Sequence, residues 1–166
     1  MFDIDELLDA WRTRHEQMMI DGPIPPHHDY CLGCGPQNPH GFQIDVRSTD
    51  SGVHLRHVFD SRHVGAPGIA HGGAVAAVLD DLFGFLLFKA GGPAVTRQLT
   101  VDYLAPVLLG VPYNFNAAID NLDGRKLHVS AVVADPSGAT VATASALFIM
   151  VDIEHFRNAQ VKHGCC

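Results

Sequence analysis

Two adjacent carboxylates, Asp80 and Asp81, interrupt the most apolar stretch of the chain, which runs from Gly68 through His71-Gly72-Gly73 to Lys89. Apolar residues fall on every side of this stretch rather than along one stripe, the pattern of a helix enclosed by other structure. A carboxylate there loses hydration unless donors replace it, and a pKa raised in that way suits a general base. At about 100° per residue the two acids point in different directions. Asp80 shares a face with Gly73, Ala76, Ala77, Phe83, Gly84 and Leu87. Small side chains there either admit a ligand or let a sheet pack tightly, and Asp80 rather than Asp81 is the candidate for chemistry.

The start of the same helix is the second candidate. His71-Gly72-Gly73 leaves backbone N–H groups unpaired at the positive end of the helix dipole, where an oxyanion can be held, and glycine permits a carbonyl oxygen to come close. His71 is read as shaping this turn or lining a pocket rather than as the base. Gly73 and Asp80 are separated by roughly 10 Å along the axis at about 1.5 Å per residue. A base or its water must lie within roughly 3 Å of its target, so one helix cannot supply both groups. An antiparallel pair of helices across a two-fold axis would bring Asp80 of one copy toward Gly72 of another.

These residues carry a resemblance. Cys31-Leu32-Gly33-Cys34-Gly35, Asn38-Pro39-His40-Gly41-Phe42, Ala66-Pro67-Gly68-Ile69-Ala70-His71-Gly72-Gly73, Asp80 nine positions after His71, and Thr96 sixteen after Asp80 resemble the hotdog-fold acyl-CoA thioesterases of the PaaI type. The likeness runs over about residues 28 to 151 and is strongest to the branch that includes the THEM proteins. It implies an α+β hotdog fold, with a curved antiparallel sheet of five to six strands wrapped around one long buried helix. It also implies a homodimer or homotetramer with the active site at the dimer interface, acyl-CoA as substrate and no cofactor.

Under that resemblance the expected reaction is thioester hydrolysis. Asp80 acts as general base or nucleophile, backbone N–H near Gly72 holds the oxyanion, and Thr96 orients the water. Gly73, Phe83 and Leu87 face the substrate, with the acyl chain between helix and sheet. Arg97, Arg125 and Lys126 are the cations available to coenzyme A phosphates. Two positions depart from the family's pattern, Gly65 where many members carry Asn and Ala105 where many carry Arg before the proline. A hotdog hydratase or dehydratase, and a non-catalytic acyl-CoA-binding module, remain as alternatives.

The elements that must position these residues are legible from period and punctuation. The 166 residues, 47% hydrophobic and 17% charged, suit a single globular domain with a real core. A net charge of −7 argues against nucleic acid as a partner. No stretch reads as a signal peptide or membrane span, so the cytoplasm is the expected compartment. Residues 3 to 19 read as an amphipathic helix through Ile4, Leu7, Leu8, Trp11 and Met18, and Pro23, Pro25 and Pro26 as an extended linker. Residues 1–27 are thus set apart from a domain over 28–153, with 154–166 as a tail.

Alternation over residues 42–46 and 53–59 reads as a hairpin, and four further strands are expected near 95–104, 111–121, 126–135 and 140–151. Turns at Asp123-Gly124 and Asp135-Pro136-Ser137-Gly138 separate them. Cys31 and Cys34 have the C-x-x-C spacing of zinc ligands, with His27 and His28 nearby. The remaining thiols, Cys165-Cys166, form no second spaced pair. The missing second pair speaks against a zinc ribbon, the resemblance implies a structured loop without an obligatory metal here, and a disulfide is not expected in a reducing compartment.

Overall fold

The computed structural model describes residues 22–162; the helix expected over 3–19 and the thiols Cys165-Cys166 lie outside them. Among the described residues nine strands, β1 (Gly22–Ile24), β2 (Val46–Thr49), β3 (Gly52–Val58), β4 (Val64–Ala66), β5 (Ile69–Ala70), β6 (Ala94–Tyr103), β7 (Pro112–Asp123), β8 (Lys126–Ala134) and β9 (Thr140–Met150), accompany two α-helices, α1 (Gly72–Ala90) and α2 (Ile153–Lys162). Seven strands form one sheet in the order β1-β2-β3-β7-β8-β9-β6, and β4 pairs with β5 separately. Every pairing is antiparallel. The sheet has two strands more than the lower expectation and one more than the upper. The extra strand is β1, in the stretch read as a linker, where Pro23 and Ile24 lie opposite Arg47 and Val46. Proline fits there because β1 is an edge strand.

One buried face of the sheet follows from the period of two. Val46, Leu55, Phe115, Val133 and Ala142 lie opposite one another in a row across β2, β3, β7, β8 and β9, and all five are buried. Ala117, Ala131, Ala144 and Ala146 keep the neighbouring rows shallow. Large helix side chains then fit against small sheet ones. Val78, Leu79, Leu82, Phe83, Phe85, Leu86 and Phe88 of α1 are buried, and the helix packs on β3, β6, β7 and β8. It ends at Gly91, whose φ of 81° is left-handed and whose N–H caps the Leu87 carbonyl at 3.1 Å.

The strand expected over 42–46 does not form; β2 begins at Val46. Gln43 takes a left-handed φ of 50°, which interrupts extended backbone. The N–H groups of Phe42 and Ile44 instead donate to the carbonyls of Leu32 and Gly33, at 2.8 and 3.0 Å. Residues 27–44 thus form a strap. It lies on α1 away from the sheet: the His27 ring stacks on Phe85 and Phe88 at centroid distances of 4.0 and 5.5 Å. A helix apolar all round needs cover on both sides, and the strap provides part of it opposite the sheet.

Candidate active site

The Thr96 hydroxyl donates to Asp80 Oδ1 at 3.0 Å. This contact depends on an irregularity in β6, where Thr96 lies opposite Phe148 and Gln98 opposite Leu147, leaving Arg97 as an extra residue. Without that bulge, alternation from Val101 and Leu99 would turn Arg97 toward the helix and Thr96 away from it. The bulge restores Thr96 to the inner face. Asp80 is half-buried and Thr96 exposed, because β6 is the edge of the sheet.

The N-terminus of α1 forms the second half. His71 is the N-cap, and its Nδ1 accepts from the Gly73 N–H at 2.9 Å, so the imidazole shapes the turn. The Gly72 N–H, at the first helical position, has no partner within the helix. Tyr103, at the far end of β6, donates its hydroxyl to the Gly72 carbonyl at 2.5 Å. A side chain at Gly72 would crowd that phenol, since a Cβ there lies 3.3 Å from the oxygen. At Gly65 a Cβ would lie 2.7 Å from the His71 backbone, so the close approach of the two segments needs glycine there. A cavity of about 410 Å³ opens beside Gly72, lined mainly by apolar groups of Ile69, Val75, Tyr103, Leu104, Pro106 and Val107.

Other residues singled out from sequence lie elsewhere. Phe83 is fully buried and meets the Phe148 ring edge-on at 6.5 Å; Leu87 is buried too. Neither lines the cavity beside Gly72, because the alanine-lined sheet draws both into the core. Arg97 is exposed beside Thr96. Arg125 donates from Nε to the Met150 carbonyl at 2.9 Å and lines a separate cavity of about 630 Å³ with Met150, Glu154 and His155 of the α2 end. Lys126 is exposed and lies opposite Ile149.

The model of the thioesterase superfamily matches residues 67–142, from the turn before α1 to the start of β9. The E. coli PaaI protein from the phenylacetic acid degradation operon superposes with a TM-score of 0.67 at 17% identity, covering 88% of this chain and 96% of that one. The chain has the hotdog fold of these proteins and resembles the thioesterase superfamily over the matched residues. It is 35% identical to the acyl-coenzyme A thioesterase THEM4 of Rattus norvegicus over 102 residues, 61% of this chain and 40% of the relative. The chain therefore spans about two fifths of the length of that relative. A hypothetical thioesterase from Streptococcus pneumoniae, solved with coenzyme A, superposes with a TM-score of 0.58 at 19% identity, covering 61% of this chain and 82% of that one. The same protein was solved with an aspartate, and separately a threonine sixteen positions on, replaced by alanine.

One part of this hotdog domain was missed from the sequence. The desolvated carboxylate is Asp81 rather than Asp80: its side chain is 13% exposed and sits against the strap. Asp81 Oδ1 lies 3.2 Å from His27 Nδ1 and 3.1 Å from Cys31 Sγ, and Cys34 Sγ lies 3.3 Å from His27 Nδ1. Burial raises the Asp81 carboxyl pKa, against the pull of His27. Burial also opposes charge on His27, but hydrogen bonds to Asp81 and Cys31 outweigh it and push the imidazole up to about 9. The signal available in the sequence was His27 four residues before the C-x-x-C pair. Nothing local connected that motif with Asp81, fifty residues away.

Proposed function

We propose that this chain hydrolyses acyl-CoA thioesters to the free acid and coenzyme A. The observation that carries the reading is the Asp80–Thr96 pair, half-exposed on the helix face beside the free edge of the sheet. Thr96 occupies one lone pair of Oδ1 and fixes the carboxylate plane. The other oxygen is left to take a proton from water as the water attacks the thioester carbonyl, or to attack that carbon itself. The Gly72 N–H, with the helix dipole behind it, holds the developing oxyanion. On the first route the tetrahedral intermediate expels the coenzyme A thiolate, which takes up the proton that Asp80 removed from water; on the second the thiolate is protonated by solvent, and water then cleaves the acyl–Asp80 anhydride to release the acid and restore the carboxylate.

The two halves belong to different copies of the chain. Thr96 and Tyr103 stand at opposite ends of β6, as Asp80 and Gly72 stand along α1. Antiparallel pairing of β6 with its counterpart across a two-fold axis would place Asp80 of one copy beside Gly72 of the partner subunit. The cavity beside Gly72 then receives the acyl chain, replacing Phe83 and Leu87 as its contacts, and Arg97, exposed on the bulge beside Thr96, is available to the phosphates. The name of the THEM4 relative, the coenzyme A in the Streptococcus pneumoniae neighbour and its sixteen-residue Asp-to-Thr spacing support this assignment.

The test is thiol release from short, medium, long and aryl acyl-CoA thioesters by the wild type and by Asp80→Asn. Turnover that falls by a factor of about 100 or more in the variant supports hydrolysis through Asp80. Binding without turnover would favour a binding module, and water addition to an enoyl-CoA a hydratase.

A further inference from the structure

We propose that His27, Cys31, Cys34 and Asp81 form a tetrahedral site for a divalent ion of the zinc class, which ties the N-terminal strap to the central helix. This inference stands apart from the thioesterase reading and needs no catalysis to be true. The four groups offer two thiol sulfurs, one ring nitrogen and one carboxylate oxygen, and these atoms all lie within 4.8 Å of one another.

The geometry fits an ion. In a tetrahedron the ligands stand about 1.6 bond lengths apart, so zinc bonds of about 2.0 to 2.3 Å imply ligand separations of roughly 3.3 to 3.8 Å. The separations between Asp81 and His27, Asp81 and Cys31, and Cys34 and His27 are 3.2, 3.1 and 3.3 Å. These three pairs would widen by a few tenths of an ångström to seat the ion, while the remaining pairs, within 4.8 Å, would draw in around it. The donor set, thiolate with imidazole and carboxylate, is of zinc character rather than the all-oxygen set of calcium or magnesium.

Two further observations point to an ion rather than a chance cluster. Asp81 Oδ2 and His27 Nε2 are buried without a hydrogen-bond partner among the described residues. Such orphaned atoms are costly in a cluster held by hydrogen bonds alone, whereas an ion would neutralise the carboxylate itself. The local backbone is also built for close approach. A Cβ at Gly33 would lie 2.2 Å from Asp81 Cγ, one at Gly35 2.4 Å from the Cys31 nitrogen, and one at Gly84 3.0 Å from the His27 ring. The His27 N–H also donates to Cys34 Sγ at 3.1 Å, the kind of second contact that steadies a metal-bound thiolate. The four ligands complete a closed set, as in structural sites.

The experiment uses the full chain without a polyhistidine tag, expressed with zinc and analysed for metal by mass spectrometry. About one zinc per chain is expected. It should be lost in Cys31→Ser/Cys34→Ser and retained in Cys165→Ser/Cys166→Ser. Asp81→Asn should weaken zinc retention against a chelator by about tenfold or more. Replacement of zinc by cobalt(II) in the wild type should give a thiolate-to-cobalt charge-transfer band and the strong visible bands of a tetrahedral ion, a readout that does not require any variant to fold. Protein that carries no stoichiometric zinc and takes up cobalt without those bands would overturn the proposal. So would zinc content unchanged in the Cys31→Ser/Cys34→Ser variant, or a disulfide joining the two thiols in freshly purified protein.

Discussion

Asp80 and Asp81 are neighbours in the chain and opposites in the molecule. Asp80 looks toward the edge of the sheet, is half-exposed, and is held among the described residues by a single hydroxyl on Oδ1, with its other oxygen outside that bond. Asp81, about 100° around the helix, looks into the strap, is largely buried, and is surrounded by an imidazole and two sulfurs. A carboxylate that must receive a proton during turnover has to reach substrate. One that anchors a loop is best enclosed. Burial alone therefore does not identify the acting acid: the desolvated group holds structure together, and the group with an open lone pair can do chemistry.

Exchanging each acid for its amide is the strongest way to break this comparison. Asp80→Asn is expected to lower turnover by a factor of about 100 to 10,000, while its melting temperature stays close to the wild type. Asp81→Asn is expected to do the reverse in emphasis, with a loss of about 2 kcal/mol in stability and a smaller fall in turnover. Thiol-release assays and thermal melts run on the same preparations decide it. If Asp81→Asn were the variant that lost turnover and kept its melting point, the assignment of the two acids would be inverted.

Phe83 sharpens the comparison from between the two. It belongs to the small-residue face of Asp80 by helical spacing, yet its ring is fully buried against Phe148. Phe83→Ala should therefore cost about 3 to 5 kcal/mol of stability by urea denaturation. The ranking of acyl chain lengths by kcat/KM should not change. A changed ranking with little loss of stability would return Phe83 to the substrate pocket.

A third buried group, in neither acid's surroundings, isolates the pH dependence of the fold. His57 on β3 packs against the rings of Phe59 and His63 at 4.7 and 6.2 Å. Burial, with a smaller push from His63, lowers its pKa from 6.5 to about 4. The unfolded chain therefore binds a proton there that the native state excludes. The stability from neutral His57 is complete above about pH 6.5 and is lost as pH falls toward about 4, up to about 3 kcal/mol. Unfolding free energies from urea titrations at pH 7 and near pH 4.5 should differ less in His57→Phe than in the wild type, by about that amount. An unchanged pH dependence would place the acid sensitivity elsewhere.

Most of the architecture was legible because it is periodic. The helix about Asp80, four long strands and their glycine turns follow from spacings of 3.6 and 2 and from residues that punctuate them. What escaped depends on register or on distant contacts. Gln43 breaks an alternating run by one left-handed residue, Pro23 joins a sheet edge, and Asp81 meets a cysteine motif fifty residues earlier. The spacing of Asp80 and Thr96 was visible, but the means of bringing them together was not. No propensity marks Arg97 as the residue that β9 will skip.

That bulge makes Thr96→Val the finest test of the site. Valine keeps the volume and the strand preference of threonine and removes only the hydroxyl that donates to Asp80. A hydrogen bond to a charged acceptor contributes about 1.5 kcal/mol, so turnover should fall by about tenfold, with KM for the acyl-CoA nearly constant. The reason is positional: Asp80 keeps its charge and exposure but loses the donor that fixes its plane, and a swinging carboxylate spends less time aligned with the water. If turnover were unaffected, the bulge at Arg97 would serve the sheet edge alone, and the helix would hold Asp80 in place without help from β6.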